Sequence, residues 1–517
     1  MSISCGRPFL RAENIFKSRK QTGRHNPYNE NCGKERTSMI RMLPRDFVLG
    51  ATISAYQTEG AVDAAGRIPC AWDRWYARPD STFDARNASG FYTSYREDIA
   101  RCRAFNIRAL GISLAWTRII RDEQGTVNEE GVRFYQDVIR CCRENGIEPY
   151  VALYHFDTPL FLFDRGEWLA PETAEQFLHY AQVCFERFGG MVRYWITMKD
   201  PVSLVMNEYV AGQFPPAERF AAGKAVLALH SMLTAHSRAV IRYKEMGLPG
   251  KIGIVHRAES VYPLAGSPGS ERAASLDDTL TNRFLLDGVL AGGYSAETMA
   301  GIRAILSQEP EFFDPAPDDL AALDKAAGQL DFLGVNYYAS HFCEAWRDGA
   351  AQPADTGSYA LKGISRRLGR ADVPTTDWGW SIFPHGLYDM LLRIHEEYPH
   401  RPIYVTENGL GLHESLPAPG PDGQRMIEDD DRIDYLRQHL SAVLDAMEEG
   451  VDVRGCFVWS MLDAMSWTGG YDKRYGLFYV DESGRRFPKK SAFWFRDLSA
   501  RRIMLTVDAL RASVLAH

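Results

Sequence analysis

From Asp46 onward the chain alternates short β-branched and aromatic runs with longer segments whose apolar residues recur at helical spacing, the pattern of repeated β-α units and a parallel sheet. Eight β-rich runs stand out: DFVLGATISAY from Asp46, ALGISLAW from Ala109, EPYVALYHF from Glu148, YWITM from Tyr194, KIGIVH from Lys251, DFLGVNYY from Asp331, PIYVTENG from Pro402 and RGCFVWSML from Arg454. Between the last two, Ile433, Leu436, Leu440, Val443, Leu444 and Met447 mark the face of a helix, and Gly450 suits its C′ position. Phe177, Ala181, Cys184, Phe185 and Phe188 mark another helix that leads through Gly189 and Gly190 into the Tyr194 run. Eight strands close a small barrel, so the expected fold class is α/β, a single (β/α)8 TIM barrel over residues 45–517. The Gly, Pro and Asp-rich stretches 266–270, 348–357 and 416–423 are expected to be surface loops.

Residues 1–44 show neither period and carry Arg7, Arg11, Lys17, Arg19, Lys20, Arg24, Lys34, Arg36 and Arg41, so they are expected to be a disordered extension. Met39 and Met42 offer later start positions, and a basic targeting arm is the alternative. A length of 517 residues alone would suggest several domains, but barrels run long in one piece, and no break in composition marks a second domain. The net charge of -8 argues against a nucleic-acid partner, because phosphate backbones select basic faces. No stretch approaches the roughly 20 apolar residues of a membrane span. Nine cysteines, with no CxxC pair, read as reduced thiols in a cytoplasmic protein. The sequence has no HExxH or clustered His and Cys and no phosphate-binding glycine loop, so neither a metal nor a cofactor is expected.

Barrels of this kind place their chemistry at the C-terminal strand ends, which here carry Gln57 and Glu59, His155 and Asp157, Lys199 and Asp200, Asn336 and Tyr338, Glu407 and Asn408, and the segment from Trp459 to Tyr475. Hydrolysis of a glycoside with retention needs one carboxylate as nucleophile and a second carboxyl as acid and then base, about 5 to 5.5 Å apart. Glu407 follows the apolar run PIYV and precedes Asn408-Gly409, so its side chain leaves the strand where the backbone turns into a loop. A lone glutamate would ordinarily be a solvated loop residue. The strand-end position favours the nucleophile instead.

Five ordered segments, FVLGATISAYQTEGA from Phe47, LYHFDTP from Leu153, DFLGVNYY, YVTENG and WSMLD from Trp459, resemble glycoside hydrolase family 1 from Leu43 to about Leu498. The resemblance implies that Glu407 is the nucleophile, that Tyr338 bonds it, that Gln57, His155 and Asn336 belong to the sugar site, and that Trp459 is the platform under the ring. The family glutamate that grips an unphosphorylated sugar falls at Ser466, seven residues after Trp459, and is followed by Lys473 and Tyr475. A hydroxyl, an ammonium and a phenol all donate to a phosphate, which a carboxylate would repel. This pattern, with Phe156, RIPCAWDRW from Arg67, VPTTDWGW from Val373 and FPKKSAFWF from Phe487, resembles the 6-phospho-β-glycosidase branch, and Trp467 resembles its 6-phospho-β-galactosidases. The implied substrate is a phosphorylated disaccharide or β-glycoside such as phosphorylated lactose, with the phosphoglucosides as the alternative.

The chain departs from that family at three positions. The usual Asn-Glu pair at the end of the fourth strand is Lys199-Asp200, and the second-strand arginine beside the nucleophile is Gly111. Glu208, in MNEY, is out of register and is not assigned a role. Lys199 could restore the charge lost at Gly111 and belongs with the substrate-binding set. Asp200 is the atypical acid/base, its carboxyl roughly 1 Å short, an offset that can cost about 100-fold in rate. Three readings remain: a working 6-phospho-β-glycosidase, a sugar-phosphate-binding protein of the same fold with little hydrolysis, and an inverting enzyme.

Overall fold

The computed structural model describes residues 40–352, 358–420 and 425–504. The eight expected runs are eight parallel strands: β1 (Val48–Thr52), β2 (Ala109–Ser113), β3 (Glu148–Tyr154), β4 (Tyr194–Lys199), β5 (Lys251–Arg257), β6 (Phe332–Asn336), β7 (Ile403–Asn408) and β8 (Val453–Trp459). Each pairs with the next, and β8 pairs with β1, so the sheet closes into a barrel. Every residue of β2, β6 and β7 is buried, which is why these strands read as continuous apolar runs and not as alternating ones.

The barrel interior is packed with side chains. Tyr150, Phe332, Tyr404 and Phe457 fill it together with Ala109, Ala152, Ile196 and Val255. The rings fit because glycines face them: a Cβ on Gly50 would lie 2.5 Å from the Phe457 ring, and one on Gly253 would lie 2.6 Å from that of Phe332. Truncating such a ring to alanine would cost about 3 to 5 kcal/mol. A filled interior leaves the C-terminal mouth as the place for a ligand.

Pro171–Phe188 and Asp430–Glu448 are the two helices read from the periodicity, and Gly450 follows the second with φ at +101°. The stretch expected to be a loop at 266–270 is instead the start of a helix, Pro268–Asp278. Ser267 caps it by accepting from the Ser270 N–H at 3.3 Å, and Pro268 stands at N1, where its missing N–H costs nothing. A small sheet of Val261–Pro263, His341–Ala345, Ala360–Leu361 and Ser365–Leu368 packs beside the barrel and was not expected, because runs of two to five residues carry no readable period. The buried Arg367 anchors this sheet, donating to Asp277 and Glu259 at 2.6 Å each.

Residues Pro44–Arg502 form one compact unit. In the second unit the described residues contain a two-stranded pairing of Arg41–Met42 with Ile503–Met504, so regular structure begins inside the segment read as an extension. Residues 1–39 lie outside the described residues. Among the described residues seven cysteines are unpaired, and all but Cys456 are buried. No described helix is long and apolar enough to cross a membrane.

Candidate active site

β7 slips register against both neighbours near its end, between Val405 and Glu407 on one side and between Val405 and Asn408 on the other. Such an irregularity re-aims a side chain. Glu407 is buried, its Oε2 accepting from the Tyr338 hydroxyl at 2.6 Å and its Oε1 from the Lys199 ammonium. Lys199 ends β4, and Asp200 follows it in a left-handed conformation with φ at +51°, a region that aspartate enters more readily than most residues. Asn336, at the end of β6, donates through Nδ2 to both Asp200 oxygens at 3.0 and 2.9 Å, while its Oδ1 accepts from Thr406 at 2.7 Å. β4, β6 and β7 thus hold the two carboxyls, with β5 between the first two.

The two carboxyls sit in unlike environments. Glu407 has two donors that complement its anionic form. Burial, and then the charge of Glu407, push Asp200 up to about 7, against the opposing pull of Lys199, Asn336 and Arg257. One carboxylate suited to attack beside one carboxyl that holds a proton near neutrality is the division of labour that acid/base and covalent catalysis requires. Other buried carboxylates have structural partners: Glu59 accepts from Arg118 at 3.1 Å and from Tyr135 at 2.6 Å. Glu208 lies against Glu167, burial raises both, and neither lines the cleft.

Asp200, Glu407, Gln57, His155, Tyr338, Trp459, Ser466, Trp467, Lys473 and Tyr475 line one cleft. Lys199 and Asn336 do not line it and reach the carboxylates instead. Gln57 is pinned by Ser54, which donates to its Oε1 at 2.7 Å, and by its own donation to the Met465 carbonyl at 2.7 Å. Burial and the nearby Lys199 hold His155 well below its usual range, so its ring is neutral. At Gly111 a Cβ would lie 2.7 Å from Thr52 Oγ1, and the residue borders a small cavity that also touches Lys199. The ammonium beside Glu407 therefore comes from β4, with none from β2.

The candidate phosphate residues sit on a tightly braced loop. Ser466 and Gly470 exchange backbone hydrogen bonds at 2.8 and 3.1 Å, and a Cβ on Gly469 would meet both Lys473 Cβ at 3.2 Å and Ser466 Oγ at 3.5 Å, which puts the two side chains close together. Asp463 fixes the loop base, accepting from Lys489 at 2.7 Å, Arg474 at 3.1 Å and the Gly476 N–H at 2.8 Å. Lys473 is buried in an aromatic cage, its ammonium 3.9 Å from the centre of Trp380 and 4.8 Å from that of Trp378. Trp467 stacks on Tyr56 with ring centres 5.5 Å apart and packs on Trp72 at 4.3 Å. The segments around Arg67, Val373 and Phe487 therefore build the cage, the Trp467 seat and the loop anchor.

Sequence reasoning missed Arg257, Ser203, Asn207, Gln213 and Trp380 on the cleft wall. Arg257 ends β5, one residue beyond the KIGIVH run, at the kind of strand-end position where such barrels carry their chemistry. Trp380 ends the VPTTDWGW segment, which carried a resemblance but no role for that residue, and the others lie on a loop or in the helical stretch after Asp200, where nothing in the local pattern marks them.

The (β/α)8 barrel carries two buried carboxyls at its mouth, in a cleft also lined by Trp459, the hydrogen-bonded Gln57 and the buried, neutral His155. The sequence profile of "Glycosyl hydrolase family 1" matches residues 39–504. The chain belongs to glycosyl hydrolase family 1 and is a glycosyl hydrolase of that family. It is 44% identical over 463 residues to a 6-phospho-beta-galactosidase of Clostridium acetobutylicum, covering 88% of this chain and 96% of the relative. It is also 44% identical over 477 residues to one of Lacticaseibacillus rhamnosus, covering 90% of this chain and 100% of the relative. Among solved structures, the family 1 b-glucosidase from Thermotoga maritima superposes with a TM-score of 0.80 at 31% identity, over 90% of this chain and 100% of that one. The GH1 beta-glucosidase from Exiguobacterium antarcticum B7 gives 0.81 at 32%, over 89% and 99%.

Proposed function

We propose that the chain hydrolyses 6-phospho-β-galactosides with retention, Glu407 acting as nucleophile and Asp200 as acid and then base. The observation that carries this reading is the presence, in one cleft, of a Glu407 bonded by Lys199 and Tyr338, a proton-holding Asp200 and a caged Lys473. In the first step a Glu407 oxygen bonds the anomeric carbon while Asp200 gives its proton to the departing glycosidic oxygen. In the second, Asp200 takes a proton from water, whose oxygen displaces Glu407 and returns the β configuration. Ser466, Lys473 and Tyr475 receive the 6-phosphate. The galacto preference is supported by Trp467 on the cleft wall and by the relatives named 6-phospho-beta-galactosidase. A phosphorylated substrate that crosses membranes poorly, and unpaired buried cysteines, suit the cytoplasm.

A second reading, a sugar-phosphate binder with slow turnover, draws on the short Asp200 side chain and its double engagement by Asn336. The pH profile separates the two. An acid poised at about 7 must be protonated to act, so kcat/KM should fall as pH rises through about 7. Asp200→Asn should slow a poor leaving group by about 100-fold or more and a dinitrophenyl leaving group far less, because general acid catalysis is worth about 10²–10⁴ and only the poor leaving group needs it. A profile flat to high pH, or equal losses on both leaving groups, would contradict the role given to Asp200.

A further inference from the structure

Arg257 ends β5 beside the strand that delivers Asp200, and its side chain, 14% exposed, lines the cleft. Its guanidinium donates to Ser203 Oγ at 3.3 Å, pairs with Glu259 at 3.2 Å and lies 5.6 Å from the ring centre of Tyr338. Ser203 belongs to the short helix Pro201–Val205 that begins directly after Asp200, and Tyr338 is the phenol bonded to Glu407. One cation therefore touches both the segment that carries the first carboxyl and the ring that holds the second. Its other side is fixed: Glu259 accepts from the buried Arg367, which Asp277 clamps in turn.

We propose that Arg257 is a positioning residue for Asp200, bracing the helix that follows it and setting a fixed positive charge beside the strand that delivers it. The inference rests on reading Asp200 as the acid/base. The groups facing Asp200 are Lys199 from β4, Arg257 from β5, Asn336 and Tyr338 from β6 and Glu407 from β7. Burial and Glu407 raise its proton affinity, while Lys199, Asn336 and Arg257 lower it. Removing the guanidinium tips this balance upward. Asp200 then keeps its proton to higher pH, so the acid step persists further up the pH scale while the free carboxylate needed for the water step becomes scarcer.

The test measures pH profiles of the full chain and of Arg257→Met, Arg257→Lys and Asp200→Asn on a nitrophenyl 6-phospho-β-galactoside, with thermal midpoints taken to establish folding. Arg257→Met should move the alkaline limb of kcat/KM upward by about half to one pH unit, and Arg257→Lys should leave it near the wild-type position, as expected when a nearby opposite charge is removed or kept. An unmoved limb in Arg257→Met, while Asp200→Asn abolishes that limb, overturns the role of Arg257 and leaves the acid/base reading standing. A limb that survives in Asp200→Asn overturns that reading and this inference with it, as does a wild-type chain without turnover.

Discussion

Replacing Glu407 by glutamine should lower kcat/KM on a 6-phospho-β-galactoside by at least about 10⁴-fold, the scale on which removal of a covalent nucleophile is felt. The amide keeps the shape of the side chain but cannot form the glycosyl bond. It also leaves the Lys199 ammonium buried without its anionic partner, and breaking such a pair costs about 3 to 5 kcal/mol. The thermal midpoint should therefore drop as well, and circular dichroism at the assay temperature distinguishes lost chemistry from lost fold. A double change, Lys199→Met with Glu407→Gln, removes the stranded charge and should recover stability without recovering turnover. Surviving hydrolysis in a folded Glu407→Gln chain would remove the nucleophile assignment.

The second large effect is expected at Lys473. A charge-assisted hydrogen bond is worth about 1.5 to 3 kcal/mol, so Lys473→Met should reduce kcat/KM on the phosphorylated substrate by about 10- to 150-fold. Methionine keeps most of the apolar volume inside the cage of Trp378 and Trp380, so the loop should hold its shape. Activity on an unphosphorylated galactoside, however small, should be unchanged or higher. Steady-state kinetics on the two substrates give this ratio directly. An equal fall on both would mean that Lys473 braces the cleft and does not read the phosphate.

Much of this site is legible in the sequence, and for a physical reason. Strands buried on both faces are continuous apolar runs, so each polar residue that ends one, such as Gln57, His155, Asp200 or Glu407, stands out against its own strand. What stayed hidden depends on contacts between distant segments. The cage around Lys473 joins Trp378 and Trp380 from one loop to Tyr475 in another, and spacing along the chain does not reveal that meeting. The partner of Asn336 was hidden for the same reason: it looked like a sugar contact and spends its Nδ2 on the Asp200 carboxyl, whereas the charge lost at Gly111 had already pointed Lys199 toward Glu407. The helix from Pro268 was concealed by its own capping residues, since Gly266, Ser267, Pro268 and Gly269 read equally well as a turn.

The departures from the family pattern also take on a physical sense. Gly111 contributes no charge, and Lys199 brings one from β4. Asp200, shorter than the glutamate it replaces, is braced by Asn336, with Arg257 among the charges that face it. The central claim, that a cation-bearing loop has turned a family 1 cleft toward phosphorylated sugars, is tested most directly by comparing kcat/KM for nitrophenyl 6-phospho-β-galactoside with that for the unphosphorylated nitrophenyl β-galactoside. The account predicts a preference of about 100-fold or more for the phosphorylated substrate, the value of one or two charge-assisted bonds. Equal or better turnover of the unphosphorylated sugar would contradict it.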